Sequence, residues 1–213
     1  MRRKQGVILC IGLALLAFFV LWTVLVRTID VASIGPNGTS VGFATVNQLV
    51  HSHIGVNMVL YTITDWLGLV PFLAAIFFAV IGFVQLINRR SLKKVDRSII
   101  ILGIFYIAII FVYFFFEIVV INYRPVLIEG MLEASYPSST TMLVTAVMPT
   151  AIMQCRERVK NRLIMHSVST LICIFIIFMV VGRVISGVHW ITDIVGGLLA
   201  SSGLVLVYYS ISN

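Results

Sequence analysis

Residues 98–121 read SIIILGIFYIAIIFVYFFFEIVVI, with one charged side chain, Glu117, near the far end. A helix crosses the roughly 30 Å hydrocarbon core of a bilayer in about 20 residues, so this run is long enough to span one. Helix is also the required form, because backbone groups in lipid must be satisfied within the segment. Just before the run stands a basic cluster, Arg89, Arg90, Lys93, Lys94 and Arg97, and just after it come Asn122 and Arg124-Pro125. The segment therefore has one densely basic end and one end carrying isolated polar groups.

Outward from this stretch, similar runs recur, giving six at approximately 6–26, 67–87, 98–121, 138–155, 163–182 and 189–210. A chain of 213 residues that is 60% hydrophobic and 11% charged, with mean hydropathy +1.09, is too apolar for a soluble domain. The sequence predicts an all-α integral membrane bundle of six helices, with one domain covering residues 1–213. The first run follows Met1-Arg2-Arg3-Lys4 but is too long for a signal-peptide core and lacks a small-x-small cleavage site, so it reads as a retained span. Cys10, Cys155 and Cys173 lie in or at the ends of runs without paired spacing, which indicates neither a disulfide nor a metal site.

The net charge of +7 raises nucleic acid as a partner, and its distribution argues against it. Twelve of the 15 Lys and Arg residues group at positions 2–4, 89–97 and 156–162, on alternate connections of a six-span chain. That is the positive-inside pattern, so both termini are expected in the cytoplasm. Arg27, Arg124 and Arg183 remain for the outer side. The outer connection 27–66 carries the turn Gly35-Pro36-Asn37-Gly38, then Phe43, Val46, Leu49 and Val50 at helical spacing, which predicts a helix lying in the interface plane.

Arg124 and Arg183 fall at the outer ends of the third and fifth runs, close to His189 and Asp193 at the start of the sixth. The i, i+4 spacing of His189 and Asp193 predicts one helix face, where the carboxylate orients the imidazole. The fourth run opens Pro137-Ser138-Ser139-Thr140, and a helix N-terminus with hydroxyls is a ready anion site. Two arginines, a helix N-terminus and an oriented nucleophile make a phosphate site. Glu117, seven residues before Arg124, is expected to pair with it. The small residues Gly196, Gly197, Ala200, Ser201 and Gly203 read as a helix-packing face, and Pro149 as a kink in the fourth span.

These residues resemble three motifs of the type 2 phosphatidic acid phosphatases, which are related to vanadium haloperoxidases. The third motif, SRxxxxxHxxxD, is similar to Gly182-Arg183 through His189 to Asp193, with only the leading Ser replaced. The first, KxxxxxxRP, reads Glu117 to Arg124-Pro125, and the second, PSGH, reads Pro137-Ser138-Ser139-Thr140. The resemblance implies a lipid phosphatase or diphosphatase acting on the outer face through a phosphohistidine, on a substrate such as undecaprenyl diphosphate or phosphatidic acid. It implies no cofactor and no metal. His189 would be the nucleophile and Asp193 its orienter, while Arg124, Arg183, Ser138, Ser139 and Thr140 would hold the phosphoryl group.

Two family residues are missing. The family's lysine is Glu117, and its leaving-group acid is Thr140, which donates no proton at neutral pH. A diphosphate expels a stable anion and needs that proton less than a monoester does, so the sequence favours a lipid diphosphate. His51 or His53 in the outer loop is a candidate for the missing acid. The competing expectation is a catalytically silent relative that binds lipid phosphate headgroups or a partner protein.

Overall fold

The computed structural model describes residues 2–212. The apolar runs become helices whose ends are set by local chemistry. The first is α1 (Arg2–Thr28), followed by a short 3₁₀ turn at Pro36–Gly38 and by α2 (Ala44–Ile54). The next run begins nine residues earlier than its hydropathy predicts, as α3 (Met58–Leu67) and α4 (Leu69–Arg89). Asn57 starts α3 by accepting the Leu60 amide on its side chain at 2.9 Å. Pro71 lacks an N–H and crowds the carbonyl four residues back, which accounts for the break between the two at Gly68. Then come α5 (Arg97–Ile118), α6 (Ser139–Arg158), α7 (Arg162–Ile185) and α8 (Ile191–Ser212). Among the described residues there is no β-strand beyond isolated bridges.

Five stretches are long and apolar enough to cross a membrane: Arg3–Thr28, Met58–Arg89, Arg97–Ile118, Arg162–Ile185 and Ile191–Ser212. Their outward faces are apolar, as Val59, Phe111 and Ile118 show at 72%, 68% and 82% exposure. This is a multi-pass helical membrane protein. The sixth expected span, α6, is not among the five, and its packing explains why. It touches α4, α5, α7 and α8, so it runs through the interior of the bundle and meets little lipid. Its polar residues are satisfied inside: Thr145 bonds Ser201 at 2.7 Å and Gln154 donates to the Tyr208 hydroxyl at 2.6 Å. The helix continues through Pro149 without interruption.

The small-residue face of α8 packs as expected. Gly203 lies against Leu16 and Gly12 of α1, Gly197 against the start of α6, and Gly196 under the Tyr136 ring. Contacts of Gly12 near the end of α8 and of Trp22 with Thr192 make α1 and α8 antiparallel. The core between helices is built from Phe19, Phe78, Leu102, Phe105, Met142 and Tyr208.

At one end of the bundle Asp96 gathers Arg89 at 2.8 Å and Arg158 at 3.8 Å, and Ser98 donates to Glu157 at 2.9 Å. The carboxyl of Asp96 is held below its usual range by hydrogen bonds from Arg89 and Gln85. The basic clusters around 89–97 and 156–162 thus share an end, which is also where α1 begins and α8 finishes. In the first connection, α2 forms where an interfacial helix was expected. Its exposed face carries Val46 and Leu49, while Ala44 and Asn47 are buried. Asn47 ties the helix to α8 by donating to the Thr192 hydroxyl at 3.0 Å.

Candidate functional site

At the opposite end, the connection 186–190 between α7 and α8 carries His189. Its backbone course depends on Gly187, which sits at φ 66° where a Cβ would come within 1.9 Å of the Gly55 carbonyl oxygen. Helix α8 starts only at Ile191, so His189 lies before the helix and does not share a helical face with Asp193, contrary to the i, i+4 expectation. The spacing serves a different local structure. Trp190 caps α8, and the Asp193 carboxylate reaches back to the Trp190 amide at 3.0 Å, the return half of a capping box.

His189 Nδ1 and Asp193 Oδ2 are 4.0 Å apart, too far for a direct hydrogen bond. Ser135 connects them. Its hydroxyl donates to Asp193 Oδ2 at 2.5 Å and lies 3.0 Å from His189 Nδ1. With the Ser135 proton committed to the carboxylate, Ser135 Oγ accepts from Nδ1–H, and Nε2 is left with its lone pair. Asn122 Nδ2 donates to the other carboxylate oxygen at 3.2 Å, so Asp193 is fixed from three sides within a fully buried setting. Burial depresses the affinity of His189 for a second proton well below the ordinary histidine value, and the charges of Arg124 and Arg183 depress it further. The ring is therefore neutral at neutral pH, as a nucleophile requires.

Arg183 is 1% exposed, and leaving such a charge without a counterion would cost several kcal/mol. It is matched by Asp65 of α3, whose Oδ1 accepts from Nη2 at 2.8 Å. The same Nη2 donates to Thr140 Oγ1 at 2.6 Å. The Tyr61 ring lies beneath both guanidinium groups, 5.0 Å from Arg183 and 5.6 Å from Arg124. Arg124 is paired with Glu133, at 3.1 Å from Nε, and not with Glu117 as the sequence predicts. The reason is local: Arg124 lies beyond the end of α5, and a bridge pairing Tyr123 with Ala134 brings the chain around Glu133 alongside it. Glu117 is exposed and lines a small cavity with Tyr113, Ser135 and Ser139.

Four buried nitrogens of this cluster have no partner: Arg124 Nη1, Arg183 Nε and Nη1, and His189 Nε2; Arg124 Nε has only its ion-pair contact with Glu133. The guanidinium nitrogens are costly to keep unless they receive an acceptor, and His189 Nε2 presents a free lone pair beside them. All but one of these atoms belong to guanidinium groups, whose forked geometry suits phosphate oxygens.

The other expected phosphate ligands divide. Thr140 reaches Arg183, and Ser139 lines both the Glu117 cavity and the groove beside Asp65. Ser138 is completely buried and its hydroxyl donates to Thr141 at 3.0 Å, so it anchors the start of α6 instead of facing the arginines. The loop histidines also divide. His53 is exposed with its ring against the Leu49 carbonyl, whereas His51 packs on Trp190 at 5.4 Å between centroids. Tyr61, Asp65, Asn122 and Ser135 were not expected from the sequence.

Residues 119–213, which contain Arg124, Ser135, Thr140, Arg183, His189 and Asp193, match the PAP2 superfamily. That match covers the C-terminal part of the chain and supports the resemblance to the type 2 phosphatidic acid phosphatases read from its motifs. Among solved structures it is similar to the first transmembrane PAP2-type phosphatidylglycerolphosphate phosphatase from Bacillus subtilis, with a TM-score of 0.62 and 19% identity over 94% of each chain. No curated protein matches it in sequence. Family and fold together support a membrane lipid phosphatase.

Proposed function

We propose that the chain hydrolyses a lipid phosphate or diphosphate, such as phosphatidic acid or undecaprenyl diphosphate, on the outer face of a cell membrane. The observation that carries this reading is the set of four unpartnered nitrogens, three on arginines and one on a neutral histidine. Arg124 and Arg183 hold the phosphoryl oxygens, and His189 Nε2 attacks phosphorus to form a phosphohistidine that water then hydrolyses. Asp193, acting through Ser135, keeps the ring in the required tautomer. Preorganised positive charge in a water-poor site is where electrostatic stabilisation of the transition state is largest. No cofactor or metal enters this scheme.

A lipid substrate is supported by a groove of about 430 Å³ that leads from Asp65, Ser139 and Thr140 along Leu69, Phe72, Ile110 and Phe114. One end is polar, where Asp65 and Thr140 are bonded to Arg183. The rest is apolar and suits a hydrocarbon tail.

The test is phosphate release from undecaprenyl diphosphate and from phosphatidic acid by the purified protein, compared with His189→Ala. Loss of release to background in the variant is expected for both lipids. The position of Thr140, bonded to Arg183 where the family has its acid, favours a second reading in which the site binds headgroups without turnover. Wild-type protein that binds the lipids but releases nothing from either would establish that reading instead.

A further inference from the structure

We propose that Asp65 is the proton donor to the leaving oxygen, in place of the histidine that the second motif lacks; the inference rests on the phosphatase reading above. Other groups are badly placed for the role. Thr140 is no acid, His53 is turned to the Leu49 carbonyl, and His51, which shares a small cavity with His189 and Trp190, has its proton affinity lowered by burial and does not border the apolar groove. Lys93 and Lys94 are at the opposite end, where Lys94 offers its carbonyl to Arg89. Among the carboxylates, Glu133 is bound to Arg124, Asp193 is behind Ser135, and Asp30 receives the Thr45 amide. Asp96 and Glu157 lie at the basic end, and Glu129 is exposed on a turn. Glu117 is not the partner of either arginine, which pair with Glu133 and Asp65.

Asp65 satisfies two independent geometric requirements. It is bound to a phosphate-site arginine through Nη2 alone, so that Nε and Nη1 remain buried without a partner. It also stands at the polar mouth of the apolar groove, with its side chain 56% exposed, next to Thr140. A phosphoryl group that accepts from Nη1, next to the Asp65-bound Nη2, and runs its tail into the groove has its bridging oxygen beside Asp65. Structural neutralisation of buried Arg183 alone would not require the carboxylate to border that groove.

The proton arrives with the substrate. A P–OH of the bound phosphoryl group, held on the same guanidinium, donates to the Asp65 carboxylate, which takes up its proton. As the His189 Nε2 to phosphorus bond forms, the bond from phosphorus to the leaving oxygen breaks. Its electron pair stays on that oxygen, which takes the proton from the Asp65 carboxyl. In the second step water attacks the phosphohistidine and its proton passes to the Asp65 carboxylate. The nitrogen–phosphorus bond breaks, and phosphate leaves with His189 Nε2 regaining its lone pair. With this donor in place the chain is not confined to diphosphates.

The test divides substrates by leaving group. Phosphatidic acid expels an alkoxide and needs the proton, whereas p-nitrophenyl phosphate expels a stable phenolate and does not. Asp65→Asn is expected to lower kcat on phosphatidic acid by about 10²- to 10⁴-fold, the usual size of general acid catalysis, while p-nitrophenyl phosphate hydrolysis changes only a few-fold. Asp65→Glu is expected to restore part of the loss. Inhibition by orthovanadate should stay within a few-fold in both variants, which also reports that the site is folded.

An equal drop on both substrates, or no drop on phosphatidic acid, would overturn the proposal. Should Asp65→Asn fail to fold, the wild type still decides. Its rates across a series of aryl phosphates should depend only weakly on leaving-group acidity, and a steep dependence overturns the role. The His189→Ala variant keeps the two readings apart. If it abolishes all release while Asp65→Asn affects both substrates alike, the proton donor falls and the phosphatase stands. Release that survives His189→Ala, or a wild type inactive on every substrate, brings down both.

Discussion

Ser135 is the residue on which the His189 geometry turns, because the 4.0 Å between His189 and Asp193 leaves the hydroxyl as the link between them. Replacing it with Ala removes the acceptor for Nδ1–H and frees the ring to rotate or to exchange tautomers. A misplacement of about 1 Å at a reacting atom costs roughly 10²-fold, so Ser135→Ala is expected to lower kcat by about that factor. KM and orthovanadate affinity should change little, since both arginines are untouched. A rise in KM with unchanged kcat would show that Ser135 holds substrate and not the nucleophile. Arg183, His189 and Asp193 are legible in the sequence because one short stretch carries all three at fixed spacing. Ser135 is not, because its role comes from the fold of the connection 119–138, which joins its amide to the Asn122 carbonyl at 2.9 Å. Asp65 was hidden for a different reason. Hydropathy starts the apolar run at residue 67, which leaves Asp65 in a loop. Extending the helical pattern back through Ile63, Leu60 and Met58 would have placed a carboxylate inside a span, where such a residue marks function by default.

At the scale of elements, α8 holds the site by packing closely on α1. That approach depends on Gly203, where an added Cβ would lie 2.8 Å from Leu16 side-chain atoms and 3.1 Å from the Gly12 carbonyl oxygen. Gly203→Val forces the two helices apart, and overpacking of this kind costs about 1–3 kcal/mol. Thermal unfolding in detergent should show a lowered Tm, with Gly6→Val as the control because nothing lies within 4 Å of that position. An unchanged Tm for Gly203→Val would mean that the α1–α8 contact bears little of the stability. The small-residue pattern on α8 was readable in the sequence because close helix approach leaves that composition. The burial of α6 was less so. Its Thr141, Thr145, Thr150 and Gln154 look unlike a lipid-facing span, and only the surrounding α4, α5, α7 and α8 show why a polar helix is tolerated there.

For the whole molecule, the question is which end faces the cytoplasm. Arg89, Arg158 and the residues around them meet at one end through Asp96, while Arg124, Arg183 and His189 gather at the other. Moving this many Lys and Arg side chains across a bilayer is opposed by the positive-inside bias, so we propose that the basic end is cytoplasmic, with α6 as a sixth crossing. Cysteine accessibility checks this directly, in a background where Cys10, Cys155 and Cys173 are replaced. A cysteine at Glu129, on the turn beside the candidate site, should react in intact cells with a reagent that does not cross membranes. A cysteine at Lys93 should react only after permeabilisation. The reverse pattern would place the arginines and His189 in the cytoplasm and leave an inner-leaflet phosphate as the substrate. Labelling of both positions from outside would mean that α5, which joins the two ends, does not cross the bilayer at all, and the reading of residues 98–121 as a span would fail with it.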